Sequence, residues 1–111
     1  MEYMNKFESV IITNPDIPSS VLDKEYKNFV KLISNNSGKV VNEENWGLRD
    51  LSYKISNYKK AFYKFFQIEL DGSKLHEIKK SLSQNENIIR HIFIKVNEHQ
   101  ELPTKLNDEK K

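Results

Sequence analysis

Apolar residues in this chain recur at two different spacings, and the order in which those spacings alternate leaves few folds open. Phe7 to Thr13 is a short apolar-rich run stopped by Asn14-Pro15-Asp16, which reads as a strand ending in a turn. Leu22, Tyr26, Phe29, Val30 and Ile33 then follow at helical spacing and make one stripe. Ser19 or Ser20 is expected to cap that helix, because a side-chain oxygen accepts a free amide proton of the first turn. Gly38, just past Asn35-Asn36-Ser37, suits a left-handed helix exit. Lys39–Ile55 and Ala61–Leu70 read as the strands of a long hairpin with residues 56–60 at its tip, and Phe62, Phe66, Ile68 and Leu70 alternate with more polar neighbours. Asp71-Gly72-Ser73 opens a second helix with Leu75, Ile78 and Leu82 facing inward and Lys74, Lys79 and Lys80 outward. Asn87 to Val96 reads as a last strand with Ile88, Arg90, Ile92, Ile94 and Val96 on one face.

The order is therefore βαββαβ. A chain of 111 residues holds one modest core, and the economical way to bury these faces is an α+β, ferredoxin-like arrangement: a four-stranded antiparallel sheet with both helices on one face. That leaves the other sheet face open. The domain is expected to span residues 1–97. Residues 98–111 are polar, charged and interrupted by Pro103, and are expected to be disordered. This superfold hosts many unrelated functions, so function must come from particular residues.

Catalysis has little to stand on. His76 falls on a helix, His91 on a strand and His99 in the tail, and their spacing brings no two of them together. Glu43 and Glu44 point to opposite sides of a strand and cannot form a general acid and base pair. The chain has no cysteine and no His cluster at metal-ligand spacing, so no cofactor, metal or small-molecule substrate is expected. Acylphosphatases, small enzymes of this fold, need a glycine-rich anion loop; the turn here, Thr13-Asn14-Pro15-Asp16, has no glycine and carries a negative charge. No apolar run reaches signal-peptide or membrane-span length, which makes a cytoplasmic location the expectation.

A net charge of +2 does not announce a nucleic-acid binder, but its distribution is uneven. Residues 39–64 hold six Lys or Arg against three acids, while residues 98–111 hold three against four. Arg49 and Arg90 are the only arginines among eighteen Lys and Arg, and arginine offers a planar fork of donors that suits phosphate or carboxylate where lysine gives a point charge. Arg90, Lys54, Lys59, Lys60 and Lys95 are the candidate RNA contacts, although an exposed lysine is accounted for equally well by solvation. The alternative function is a free-standing RNA-recognition motif, whose third strand presents aromatics on which bases stack. Lys60-Ala61-Phe62-Tyr63-Lys64-Phe65 superficially resembles that strand, with Ala61 where a glycine is expected. Packing into a core explains Phe62 and Phe66 more simply.

The stretch Glu44-Asn45-Trp46-Gly47-Leu48-Arg49-Asp50-Leu51-Ser52-Tyr53-Lys54-Ile55 carries more information than any other. Glycine in mid-strand points to a bulge or to close backbone approach. With Phe62–Leu70 and Asn87–Lys95, this block resembles the bacterial small-subunit ribosomal protein six family, which has an acidic residue, a bulky residue and then Gly-x-Arg-x-Leu-Ala-Tyr-Pro-Ile here. The match covers Glu44, Trp46, Gly47, Arg49, Leu51, Tyr53 and Ile55, and runs from about Phe7 to Val96; Ser52 stands in place of the alanine and Lys54 in place of the proline. The resemblance implies the same fold. It also implies a structural role in which the protein pairs with small-subunit ribosomal protein eighteen and binds the central domain of small-subunit ribosomal RNA. The second strand would dock that partner through Glu44, Trp46, Leu48, Arg49 and Asp50. Glu44 and Arg49 match the family's charge signs, whereas Asp50 departs from a position that is commonly basic.

Overall fold

The computed structural model describes residues 4–55 and 58–100, with the backbone alone at 52–55. Its elements follow the predicted order: β1 (Asn5–Thr13), α1 (Ser19–Asn35), β2 (Lys39–Ile55), β3 (Tyr58–Leu70), a 3-10 turn (Gly72–Lys74) running into α2 (Leu75–Ser83), and β4 (Ile88–Val96). The strands form one antiparallel sheet in the order β2-β3-β1-β4, so β2 and β4 are its edges.

Side chains alternate across the sheet, which sorts it into two faces. Phe7 and Ile11 of β1 join Phe66, Ile68 and Leu70 of β3 in a core closed by Tyr26, Phe29 and Ile33 of α1 and Ile78 and Leu82 of α2. Phe29 packs on Phe66 with ring centroids 4.5 Å apart, the closest aromatic pair in that core. Phe62, expected beside Phe66, is only half-buried. Glu8, Val10 and Ile12 of β1 alternate with the core residues and so look the other way. They lie beside Gln67, Phe65 and Tyr63 of β3 and Ile94, Ile92 and Arg90 of β4. This is the open face that the periodicity predicts, except that Ile88, expected on the same face as Arg90 and Ile92, packs against the core because the ladder slips between Ile12 and Thr13.

Several local expectations change. Neither Ser19 nor Ser20 caps α1: the cap is Pro18, with φ −63° and ψ 155°, and no side chain bonds the first turn. The Pro18 carbonyl instead accepts from Val21 N and Leu22 N, both at 3.0 Å. Gly38 does not make the left-handed exit, which falls to Ser37 at φ 65°. Gly38 is there for space, since a Cβ would lie 2.7 Å from Leu70 Cδ1 and 2.8 Å from the Glu69 carbonyl oxygen. The second helix starts as expected: Asp71 accepts from the Ser73 amide and hydroxyl, both at 3.0 Å. Those two bonds hold its carboxyl below the ordinary carboxylate range.

The hairpin tip is tighter than the sequence suggests, because Tyr58, Lys59 and Lys60 already belong to β3. At the other end, the segment expected to leave the fold at residue 98 is still tied to it. His99 Nε2 lies 3.2 Å from the carbonyl oxygens of both Phe7 and Ile68. The Gln100 amide donates to Glu8 at 2.9 Å. Residues 101–111, the rest of the expected tail, lie outside the described residues.

Candidate partner and nucleic-acid interface

Gly47 sits at φ 74°, and a Cβ there would meet nothing within 4 Å. Of the two reasons for a mid-strand glycine, close approach is thus ruled out and a bulge remains. The ladder agrees: Asn45 pairs with Lys64 and Gly47 with Tyr63, leaving Trp46 as the extra residue. Asn45 Oδ1 accepts from the Gly47 amide at 2.9 Å and holds the kink.

The extra residue resets which side chains share a face. Without it, Trp46, Leu48 and Asp50 would alternate onto one side. With it, Leu48 pairs with Phe62 and Arg49 with Ala61, so Arg49 joins Trp46 and Glu44 on the open face and Leu48 turns to the other side. The indole stacks on Phe65, with centroids 5.3 Å apart and planes 6° from parallel, and on Tyr63 at 6.5 Å. Its Nε1 donates to Glu44 Oε2 at 2.6 Å. The Arg49 guanidinium lies over the indole at 5.0 Å, and its Nε donates to the Trp46 carbonyl at 3.2 Å.

Arg49 is consequently only 9% exposed, not the projecting charge the sequence suggests. It fixes the shape and sign of the edge from within. Leu48, 50% exposed, is the large apolar side chain that β2 offers outward here, and Asp50 is exposed beside Lys60 at 3.9 Å. Glu43 and Glu44 do face opposite ways: Glu43 bonds Lys64 at 2.8 Å on the helix side while Glu44 holds Trp46 on the open side.

The five basic candidates are not gathered into one patch. Lys59 and Lys60 are exposed on β3 where it runs past the end of its pairing with β1 at Phe62. Lys54 is on the facing part of β2, but its side chain lies outside the described residues. Arg90 is exposed on the open face of β4, level with Ile12, Tyr63 and Gly47. It stands three strands from the β2 edge, about 14 Å away at ordinary strand spacing. Lys95 pairs with Phe7 and so takes the helix side of the sheet.

The same geometry bears on base stacking. Phe65, the aromatic best placed as a platform, is 4% exposed because Trp46 already covers it as a base would. Among the described residues no group of His, Asp and Glu could hold a metal ion, and no helix is long and apolar enough to cross a membrane. Sequence reasoning missed the tie made by Gln67 and Gln100: Gln67 Nε2 donates to the Gln100 carbonyl at 2.7 Å and to Glu8 at 3.1 Å. Only the distance between positions 67 and 100 hid it, since nothing local pairs them.

Known proteins resemble this chain along most of its length. The family model described as Ribosomal protein S6 matches residues 6–95. The small ribosomal subunit protein bS6 of Rickettsia felis is 38% identical over 103 residues, covering 93% of this chain and 85% of that protein. Its counterpart in Rickettsia prowazekii is 40% identical over 92 residues, covering 83% and 76%. In fold, the chain is similar to the crystal structure of 30S ribosomal protein S6 from Thermotoga maritima, with a TM-score of 0.81 at 23% identity over 85% of this chain and 89% of the other.

Proposed function

The chain belongs to the ribosomal protein S6 family, a structural protein of the small ribosomal subunit and not an enzyme, and on that premise we propose that it pairs with small-subunit ribosomal protein eighteen to bind the central domain of small-subunit ribosomal RNA during assembly. The observation that carries this reading is the β2 edge. An edge strand has unpaired backbone groups that invite another chain, and here its bulged segment is locked by Trp46, Glu44 and Arg49 while Leu48 and Asp50 remain exposed. A preorganised edge costs little ordering entropy on docking.

Charge supports the division of labour. A net charge of +2 spread over separate basic positions supplies few of the phosphate contacts that drive tight binding to structured RNA. A more basic partner would supply most of them, and Arg90, Lys54, Lys59, Lys60 and Lys95 would each add a contact. The free-standing RNA-recognition motif reading loses ground because Trp46 occupies the Phe65 face.

The deciding experiment is filter binding to a central-domain ribosomal RNA fragment across a salt series, with and without purified protein eighteen. Tight binding only with the partner is the expected result. Tight binding by this chain alone would refute the adaptor role and return the sheet face to the centre of attention.

A further inference from the structure

Between α1 and α2, on the side of the sheet opposite the open face, lies a cleft of about 260 Å³. Its floor is apolar: Phe29 and Leu82 are 2% and 4% exposed, and Leu32 and Ile88 pack against the core beside them. Its lining also holds one acid and one base, Glu25 and Lys31, both from α1. Glu25 is fixed in place. Asn85 Nδ2 donates to its Oε1 and Asn87 Nδ2 to its Oε2, both at 2.6 Å, and the Asn87 amide donates to Asn85 Oδ1 at 2.9 Å, which locks the pair. Each carboxylate oxygen has a further acceptor site after that, and neutral amides do not cancel the charge. Lys31 is exposed. Among the described residues neither Glu25 nor Lys31 makes an ion pair, with the other or with any third group. Two opposite charges thus share one cleft above an apolar floor.

Size and spacing bound what can enter. The volume falls below the roughly 300–1,000 Å³ of pockets that take drug-sized ligands, so a nucleotide is too large. Positions 25 and 31 are separated by about 9 Å along the helix axis, at about 1.5 Å per residue. Two charge-assisted hydrogen bonds of about 2.8 Å each leave roughly 3 Å for the ligand's own cation and anion. That is the separation across a single α-carbon. We propose that the cleft binds a free α-amino acid with an aliphatic side chain. Its ammonium bonds Glu25, its carboxylate bonds Lys31, and its side chain rests on Leu32, Leu82 and Ile88. A simple amine would leave Lys31 opposed to it and a simple carboxylic acid would leave Glu25 opposed, whereas a zwitterion satisfies both. The ligand bridges α1 to the turn that carries Asn85 and Asn87, and by binding the folded chain alone it stabilises the domain through mass action.

The test uses the full chain, with L-leucine as the probe and nitrogen–proton correlation spectra as the readout. Titration to about 20 mM should move the amide signals of Asn28, Ser81 and Asn85 saturably, with a Kd of about 1 mM for so small a ligand. Lys31→Gln changes an exposed position, so it should leave the unfolding midpoint of the free protein unchanged and weaken leucine binding about fivefold, the loss of one exposed charge contact. Isoamylamine, which lacks the carboxylate, and 4-methylpentanoate, which lacks the ammonium, should each bind the unaltered chain more weakly than leucine by a similar factor. Shifts that stay linear in leucine, or no shifts at those three amides, overturn the site. So does undiminished binding of leucine to the Lys31→Gln variant. Isoamylamine binding as tightly as leucine would make the cleft a cation site and overturn the amino-acid assignment.

Discussion

Trp46 lies flat on Phe65, their planes 6° apart and their centroids at 5.3 Å, although the two residues are on different strands and one of them is the extra residue of a bulge. The stack is what the bulge produces. It turns an exposed edge into a fixed surface and at the same time closes the aromatic platform on which a base could have settled.

Trp46→Ala should cost about 2 kcal/mol, below the range for a fully buried tryptophan because the indole is half-exposed. Urea unfolding followed by circular dichroism measures it. A loss under 0.5 kcal/mol would mean the stack contributes little to the fold.

Gly47→Ala should cost about 1–2 kcal/mol for conformational reasons alone, since φ is 74° and a Cβ would meet no neighbour within 4 Å. Gly47→Asn should recover part of that loss, because asparagine tolerates the left-handed region. Equal losses for the two variants would point to a contact and not to backbone strain.

Arg49→Glu would place a carboxylate beside Trp46 and Glu44 and would disturb folding as well as docking, because Arg49 is nearly buried. Arg49→Lys is the cleaner variant: it keeps the charge and loses the planar stack. It should destabilise the domain by about 1 kcal/mol and weaken co-binding with protein eighteen by more than that loss explains. Unchanged co-binding in titration calorimetry would remove Arg49 from the docking surface.

Burial pushes the Tyr26 phenol up to about 12, with the Thr13 hydroxyl acting in the opposite direction and Asp23 adding to the rise. The unfolded chain releases this proton near its ordinary value of 10, so between pH 10 and 12 it binds fewer protons than the folded one and stability falls as pH rises. Tyr26→Phe should flatten that part of the decline and leave stability at pH 7 within about 1 kcal/mol. Denaturant midpoints at pH 7, 10 and 11.5 read both effects.

Much of this was legible in the residues. The period of the apolar residues gave the six elements in order, placed Ile78 and Leu82 inward and put Ile88, Arg90, Ile92, Ile94 and Val96 on one face of β4, which holds for all but Ile88, carried to the core by the slip of the ladder at Thr13. The mid-strand glycine pointed to a bulge or to close backbone approach, and only the bulge is found. The misses share a cause. Ser19 and Ser20 have the chemistry of a helix cap, yet Pro18 takes the position because its fixed φ already suits a helix start. Gly38 has the chemistry of a helix exit, yet Leu70 and Glu69 crowd it from another strand.

What the sequence by itself determined is the order of the elements and the face each one buries, because hydrophobic periodicity is a property of neighbours along the chain. Which side chains meet was decided by the tertiary structure. One extra residue at Trp46 shifts the register against β3 and moves Leu48, Arg49 and Asp50 to the opposite face, so Trp46 meets Arg49 and parts from Leu48. Gly47 points to a bulge or a close approach, but that Trp46 is the extra residue is settled only where Asn45 meets Lys64 and Gly47 meets Tyr63, and nothing in residues 97–100 encodes their return to the sheet until Glu8 and Gln67 receive them.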